Sequence, residues 1–272
     1  MNATQVAILE QCALATEHQP LGGSLHGNAV VNLTDSNVIK WGYGAFEQEY
    51  WNQRKAYQLL DHRIFRVPKV FDFFEDDTGQ GYLVMESTAG EKKRRIEDQG
   101  DLEALVRVLQ HFATVRSPTP GPLAGPGPAY ALLFGDSDLL DNNRAFAFSP
   151  SDICLCHLDF FPHNIKWQRG EPPCALDWLS AGFWPHIFEK CSHLIIEDGS
   201  IPVFGQMWFP GTDCEQIVLV VEAWSNIRRD HFWAFTLITF ARGLISRILT
   251  SRTNMHQIQE LLREAEIRPD NL

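Results

Sequence analysis

Apolar and polar residues follow two rhythms along the first third of the chain. Val6, Ile8, Leu9, Cys12 and Leu14 predict a short helix over residues 2–18. A glycine-rich turn, Leu21-Gly22-Gly23-Ser24, then leads into the alternating run Asn28-Ala29-Val30-Val31-Asn32-Leu33, the pattern of a β-hairpin with a tip that can approach a ligand closely. Val38-Ile39-Lys40-Trp41-Gly42 reads as the next strand. From 45 to 60 the period changes: Phe46, Glu49, Tyr50, Gln53, Ala56, Tyr57 and Leu60 share one helical face, with no Gly or Pro inside. Residues 67–74 and 82–86 form strands around a polar turn over 75–81. Residues 21–86 thus predict a small antiparallel sheet with one helix inserted between its strands.

Beyond 86 the pattern becomes helical. Leu102, Leu105, Val106, Leu109, Phe112 and Ala113 predict a helix over 98–116, followed by a Pro/Gly-rich loop over 117–128 and a polar surface turn over 136–143. Short apolar runs at 153–156, 165–167 and 174–176 read as strands. The chain from Phe188 onward reads as mostly helical, with its longest apolar stretches at 217–225 and 232–249. Trp208, Phe209 and Trp224 are read there as core residues.

A chain of 272 residues, 44% hydrophobic, can bury a large core. Its formal net charge of −11 argues against nucleic acid or an anionic membrane as a partner, and no obligate protein partner is evident. Neither a signal-peptide pattern nor a long uninterrupted apolar run is visible, so the expectation is a cytoplasmic protein with six reduced cysteines. Cys154 and Cys156 lack a second ligand pair at zinc-site spacing.

Candidate chemistry centres on two short runs, Cys156-His157-Leu158-Asp159-Phe160-Phe161-Pro162-His163-Asn164 and Leu176-Asp177-Trp178. Phosphoryl transfer needs a carboxylate near the acceptor hydroxyl and oxygen ligands for Mg²⁺ on the phosphates. Asp159 suits the first task, Asn164 and Asp177 the second. Lys40 shares the face of Val38, which is normally buried, and a buried ammonium needs an anion. Nucleotide phosphates or a helix glutamate both serve, and Glu49, on the inward stripe where Glu47 is not, is the preferred partner.

These residues, in this order, resemble the aminoglycoside phosphotransferase and choline kinase branch of the protein-kinase-like fold. The family pattern is His-Gly-Asp, then Asn, then Ile-Asp-Trp. Val38-Ile39-Lys40, Val67-Pro68-Lys69-Val70 and Val84-Met85-Glu86 agree with it in order and spacing, and Ala181-Gly182-Phe183-Trp184-Pro185 is similar to fungal members. The resemblance implies an α+β, two-lobed fold. An N-lobe of sheet and one helix (1–86) and a hinge (87–95) would precede a mainly helical C-lobe (96–272).

The resemblance also implies a kinase using ATP (or GTP) and Mg²⁺ to phosphorylate a hydroxyl of a small molecule. Asp159 would be the base, and Asn164 and Asp177 the Mg²⁺ ligands. Lys40, held by Glu49, would contact the α- and β-phosphates. Gly22, Gly23 and Ser24 would cover the phosphates, and backbone groups from Glu86 to Thr88 would bind the base edge. Leu158, where the family has Gly, and the paired Phe160 and Phe161 depart from the pattern. Two other readings remain: a catalytically silent kinase-fold protein binding a nucleotide or metabolite, and an enzyme of this fold using ATP for another activation step.

Overall fold

The computed structural model describes residues 3–15, 21–23, 28–93, 96, 98–124 and 150–195. Contacts group the chain into two compact units, Met1–Leu132 with Phe146–Glu189, and Leu133–Ala145 with Lys190–Leu272. The candidate chemistry lies in the first. Ser24, the turn at 136–143 and the apolar stretches at 217–225 and 232–249, with Trp208, Phe209 and Trp224, lie outside the described residues.

The first unit opens with helix α1 (Ala3–Ala15) and a five-stranded antiparallel sheet of β1 (Gly22–Gly23), β2 (Asn28–Asn32), β3 (Asn37–Gly42), β4 (Val70–Glu75) and β5 (Gly81–Glu86), ordered β1-β2-β3-β5-β4. Helix α2 (Glu47–Leu59) is inserted between β3 and β4. Alternation along the strands divides the apolar residues between two faces. Val31, Ile39, Phe74, Tyr82 and Val84 pack with Ile8 and Cys12 of α1, while Val38, Val70, Leu83 and Met85 pack with Tyr50 of α2 and with Phe73. The β4–β5 turn is built by Asp76, whose carboxylate accepts from the N–H groups of Thr78 (2.8 Å) and Gln80 (3.1 Å), and by Gly79 at φ +80°.

Two helical stripes differ from expectation. In α1 only Ile8 and Cys12, one turn apart, are buried, while Val6 and Leu14 are exposed. In α2 the inward face is Glu49, Asn52, Gln53 and Ala56, and Tyr57 is exposed. Tyr57 sits at the edge of that stripe. Three of the four inward side chains are polar because α2 meets charged and backbone groups rather than a purely apolar surface.

After the sheet come β6 (Glu91–Lys92), α3 (Gln99–Thr114), β7 (Gly121–Pro122), β8 (Ile153–Cys156), β9 (Ile165–Trp167), β10 (Cys174–Ala175), β11 (Gly182–Pro185) and α4 (His186–Ile195). Asp98 caps α3 by accepting from the N–H groups of Gly100 and Asp101. Two small antiparallel sheets form, β10-β9-β6 and β7-β11-β8. β6, β7 and β11 are additions to the sequence reading, in which 117–128 is a loop. β11 completes a ladder with β8, pairing Gly182 with Cys156 and Pro185 with Ile153, so the segment after Asp177 is fixed to the strand before Asp159.

Beneath both lies an aromatic core. Phe65 meets Phe112, Phe160 and Trp178 at centroid distances of 5.3, 5.6 and 6.2 Å, all inside the range of favourable edge and tilted contacts. Cys12, Cys154, Cys156 and Cys174 are free and buried, and burial pushes the Cys12 and Cys174 thiols up to about 12, so neither is a thiolate at neutral pH. Among the described residues no helix is long and apolar enough to cross a membrane.

Candidate active site

Lys40 projects from β3, between Val30 of β2 and Leu83 of β5, into a buried ionic cluster. Its Nζ donates to both carboxylate oxygens of Glu49, each at 2.8 Å, and lies 3.3 Å from Asp177 Oδ2. The Lys40 and Glu49 side chains are 8% and 1% exposed, whereas Asp177 is 39% exposed and keeps one flank toward solvent. Burial alone would lower the pKa of Lys40, but attraction to Glu49 and then Asp177 outweighs it and holds the ammonium charged. The expected partner Glu49 is therefore the observed one. Asn52, one turn further along α2 and fully buried, was missed by the sequence reading. Its Nδ2 donates to the carbonyls of Trp178 and Leu179, both at 3.0 Å, and its Oδ1 accepts from Gln48 at 2.8 Å. One face of α2 thus holds Lys40 and the segment that follows Asp177. An Asn in a polar-looking helix position gives no sequence signal for this.

The loop after β8 carries the base candidate. Leu158 adopts φ +63° and Asp177 φ +59°, left-handed conformations that cost an L-residue roughly 1–2 kcal/mol. The glycine of the family pattern would meet this need without strain. Here Leu158 is 1% exposed, so the strain is offset by burial of its side chain. The loop is clamped from below: Glu189 Oε2 accepts from the N–H groups of His157 (2.6 Å) and Leu158 (2.9 Å), and Ser180 Oγ donates to the His157 carbonyl at 3.1 Å. Glu189 was also missed. Its only sequence signal is a carboxylate in the first turn of α4. Of the paired phenylalanines, Phe160 joins the aromatic core and Phe161 is buried with its ring stacked on His163.

Asp159 emerges from this loop with its Oδ2 accepting from Asn164 Nδ2 at 2.6 Å and its Oδ1 3.8 Å from His163 Nε2. Asn164 follows from a 3₁₀ turn, Pro162–Asn164, and Nδ2 also donates to the Asp159 carbonyl at 3.1 Å. With both of these bonds on Nδ2, its Oδ1 is the atom left to face a ligand. Burial, followed by the charge of Asp177, pushes the Asp159 carboxyl up to about 7. Asn164 and Asp177 supply hard oxygen donors, and among the described residues no group of three His, Cys, Asp or Glu side chains is placed to hold a metal ion. A carboxylate and an amide oxygen suit a cation such as Mg²⁺, which binds through one or two carboxylates and completes its shell with water and phosphate oxygens.

Of the remaining candidates, Gly22 and Gly23 pair with Val30 and Ala29, one strand from Lys40. At the expected hinge, Glu86 N–H donates to Lys69 O (2.8 Å), Ser87 N–H to Ser36 O (2.8 Å), and the Thr88 carbonyl accepts from Lys166 Nζ (2.6 Å). Those bonds engage three backbone groups of residues 86–88 and leave the Glu86 and Ser87 carbonyls and the Thr88 N–H as candidates for a base edge.

Three outcomes follow from these contacts. Lys40→Met leaves the Glu49 carboxylate buried and unpaired, and costs about 3–5 kcal/mol in denaturant unfolding, whereas Lys40→Met with Glu49→Leu recovers most of that loss. Equal instability of the single and double variants would contradict a paired cluster. Leu158→Gly relieves left-handed strain of roughly 1–2 kcal/mol but forfeits a buried side chain of roughly 2–5 kcal/mol, so it destabilises. A stabilised Leu158→Gly protein would show that burial does not offset the strain.

The third outcome concerns pH. The folded Asp159 pKa of about 7 lies above its ordinary value of 3.8, so its protonated form stabilises the fold. That stabilisation is complete below the ordinary value and is lost as pH rises through about 7. Without Mg²⁺, the melting temperature of Asp159→Asn relative to wild type therefore climbs between pH 5 and 8. A constant difference would rule the raised pKa out.

Comparison with known proteins bears on the family and the fold. The model of the phosphotransferase enzyme family matches residues 45–196. Among solved structures, the aminoglycoside phosphotransferase APH(4)-Ia is similar at a TM-score of 0.57 and 12% identity, over 94% of this chain and 98% of its own. Choline kinase LicA from Streptococcus pneumoniae is similar at 0.54 and 12%, over 89% and 98%. A GDP complex of an aminoglycoside 2′-phosphotransferase is similar at 0.51 and 12%, over 94% and 96%. No curated protein matches. At such identities the structures establish the fold, which is α+β and protein-kinase-like with a small antiparallel sheet. The family match spans more than half of the chain, and the protein belongs to the phosphotransferase enzyme family.

Proposed function

We propose that this phosphotransferase is an ATP- (or GTP-) and Mg²⁺-dependent kinase that phosphorylates a hydroxyl of a small molecule. The observation that carries the reading is a pair of contact groups, Lys40 with Glu49 and Asp177 at 2.8–3.3 Å and Asp159 with Asn164 at 2.6 Å, joined by the Leu176 N–H donating to the Asn164 carbonyl at 2.8 Å and by the charge of Asp177 acting on Asp159. Lys40, kept charged by Glu49, faces the α- and β-phosphates. Asn164 Oδ1 and Asp177 hold Mg²⁺, which when bound offsets charge on the β- and γ-phosphates. Asp159, oriented by Asn164, accepts the hydrogen bond and then the proton of the acceptor hydroxyl. The Glu86 carbonyl and Thr88 N–H receive the base edge, and the Gly22-Gly23-Ser24 turn covers the phosphates. In this reading residues 1–86 form the nucleotide-covering lobe, 87–95 the hinge and 96–272 the mainly helical lobe. Ala181–Pro185 is a segment of fungal type, and the protein works in the cytoplasm.

Support for the nucleotide comes from neighbours of the same fold: APH(4)-Ia was solved in a ternary complex with ADP and hygromycin B, at a TM-score of 0.55, and the 2′-phosphotransferase was solved with GDP. No catalytic position is lost, which favours turnover over a silent binding protein. Two steps test the reading. ATP or GTP with Mg²⁺ is expected to raise the melting temperature, and a panel of amino alcohols, sugars and aminoglycosides then identifies the acceptor by nucleotide consumption. Asp159→Asn is expected to lower turnover by about 10²-fold or more while nucleotide binding survives. Undiminished transfer in that variant would remove Asp159 from its role, and absence of any nucleotide effect would remove the kinase reading.

A further inference from the structure

Two lysines near this site have no part in the reaction just described. β6 and β9 are antiparallel, and their register sets Lys92 directly opposite Lys166. Residues so paired project to one side of the sheet, with Cβ atoms about 5 Å apart. That side meets the hinge, because Lys166 Nζ donates to the Thr88 carbonyl at 2.6 Å. β6 also packs against the 3₁₀ turn that carries Asn164. Lys166 therefore reaches the hinge backbone, and Lys92 sits on the strand that packs against the turn carrying Asn164.

Their electrostatics are unusual for a structural pair. Like charges directly opposite on neighbouring strands destabilise a sheet. Neither Lys92 nor Lys166 enters an ion pair among the described residues, although five other pairs form there. Lys92 is exposed overall, yet partial burial of its ammonium, followed by Lys166, lowers its pKa, with Lys40 adding to the effect and Asp177 opposing it. It thus senses both the lysine and the carboxylate of the ionic cluster. Lys40 itself is already committed to Glu49 and Asp177, so it brings little unbalanced positive charge. Lys92 and Lys166 bring two.

We propose that Lys92 and Lys166 together bind a phosphate group of the nucleotide, as a second cationic contact beside Lys40. A tetrahedral phosphate offers several oxygens and can accept charge-assisted bonds from the ammonium groups of two lysines whose Cβ atoms lie about 5 Å apart. Binding would also relieve the repulsion between them. The inference rests on the nucleotide-dependent reading above, and its test separates the two.

Lys92 is the residue to change, since Lys166 also ties the floor to the hinge. Wild type, Lys92→Gln and Lys92→Arg are compared for binding of ADP, adenosine and inorganic tripolyphosphate by calorimetry and by ligand-induced thermal shift. Lys92→Gln is expected to weaken ADP and tripolyphosphate about tenfold and leave adenosine unchanged, while Lys92→Arg restores affinity. Lys92-dependent tripolyphosphate binding without any nucleotide binding would keep the anion site and discard the kinase reading. ADP affinity indifferent to Lys92, or an equal loss for adenosine, would overturn the anion site and leave the kinase reading standing. If wild type binds none of the three, both fall.

Discussion

The bidentate contact between Lys40 and Glu49 is the constraint on which the rest of the site depends. An ammonium and a carboxylate this deeply buried are tolerable only together, and each oxygen of Glu49 lies 2.8 Å from Lys40 Nζ. The pair fixes α2 against β3. Through Asn52 on the same helix face, that placement extends to the backbone following Asp177. The inward face of α2 is polar because it links a sheet lysine to the backbone that follows Asp177. Its modest apolar content reflects that task.

The opposite wall of the site is organised by strain and its restraint. Leu158 and Asp177 both occupy left-handed backbone conformations, and each lies beside or at a residue proposed to act in the reaction. Glu189 restrains the first through two backbone N–H groups, and the β8–β11 ladder ties the two segments to each other. The aromatic core of Phe65, Phe112, Phe160 and Trp178 supplies the stiffness beneath them. The proposed base, Asp159, held by a hydrogen bond at 2.6 Å on such a foundation, would need little reorganisation when substrate arrives.

Much of this was legible residue by residue. The alternation around Lys40 predicted a buried ammonium, and the helical stripe singled out Glu49 over Glu47; both hold because period-2 and period-3.6 patterns report which way a side chain faces. The stripe erred at Tyr57 and omitted Asn52, since periodicity marks apolar residues and is blind to a buried amide satisfied by distant carbonyls. Leu158 stood out in sequence as a departure from a glycine, but the reason the position favours glycine, a positive φ, is visible only in the backbone.

Sequence by itself determined the sheet-and-helix order of residues 21–86, the identity of the acid, amide and lysine set, and the kinase-like class, because local periodicity and motif spacing encode them. Tertiary structure alone decided which long-range groups serve that set. Glu189 beneath the Asp159 loop, Asn52 behind Asp177 and the facing of Lys92 and Lys166 all join segments about 30 to 130 residues apart, through register and packing that no local pattern records.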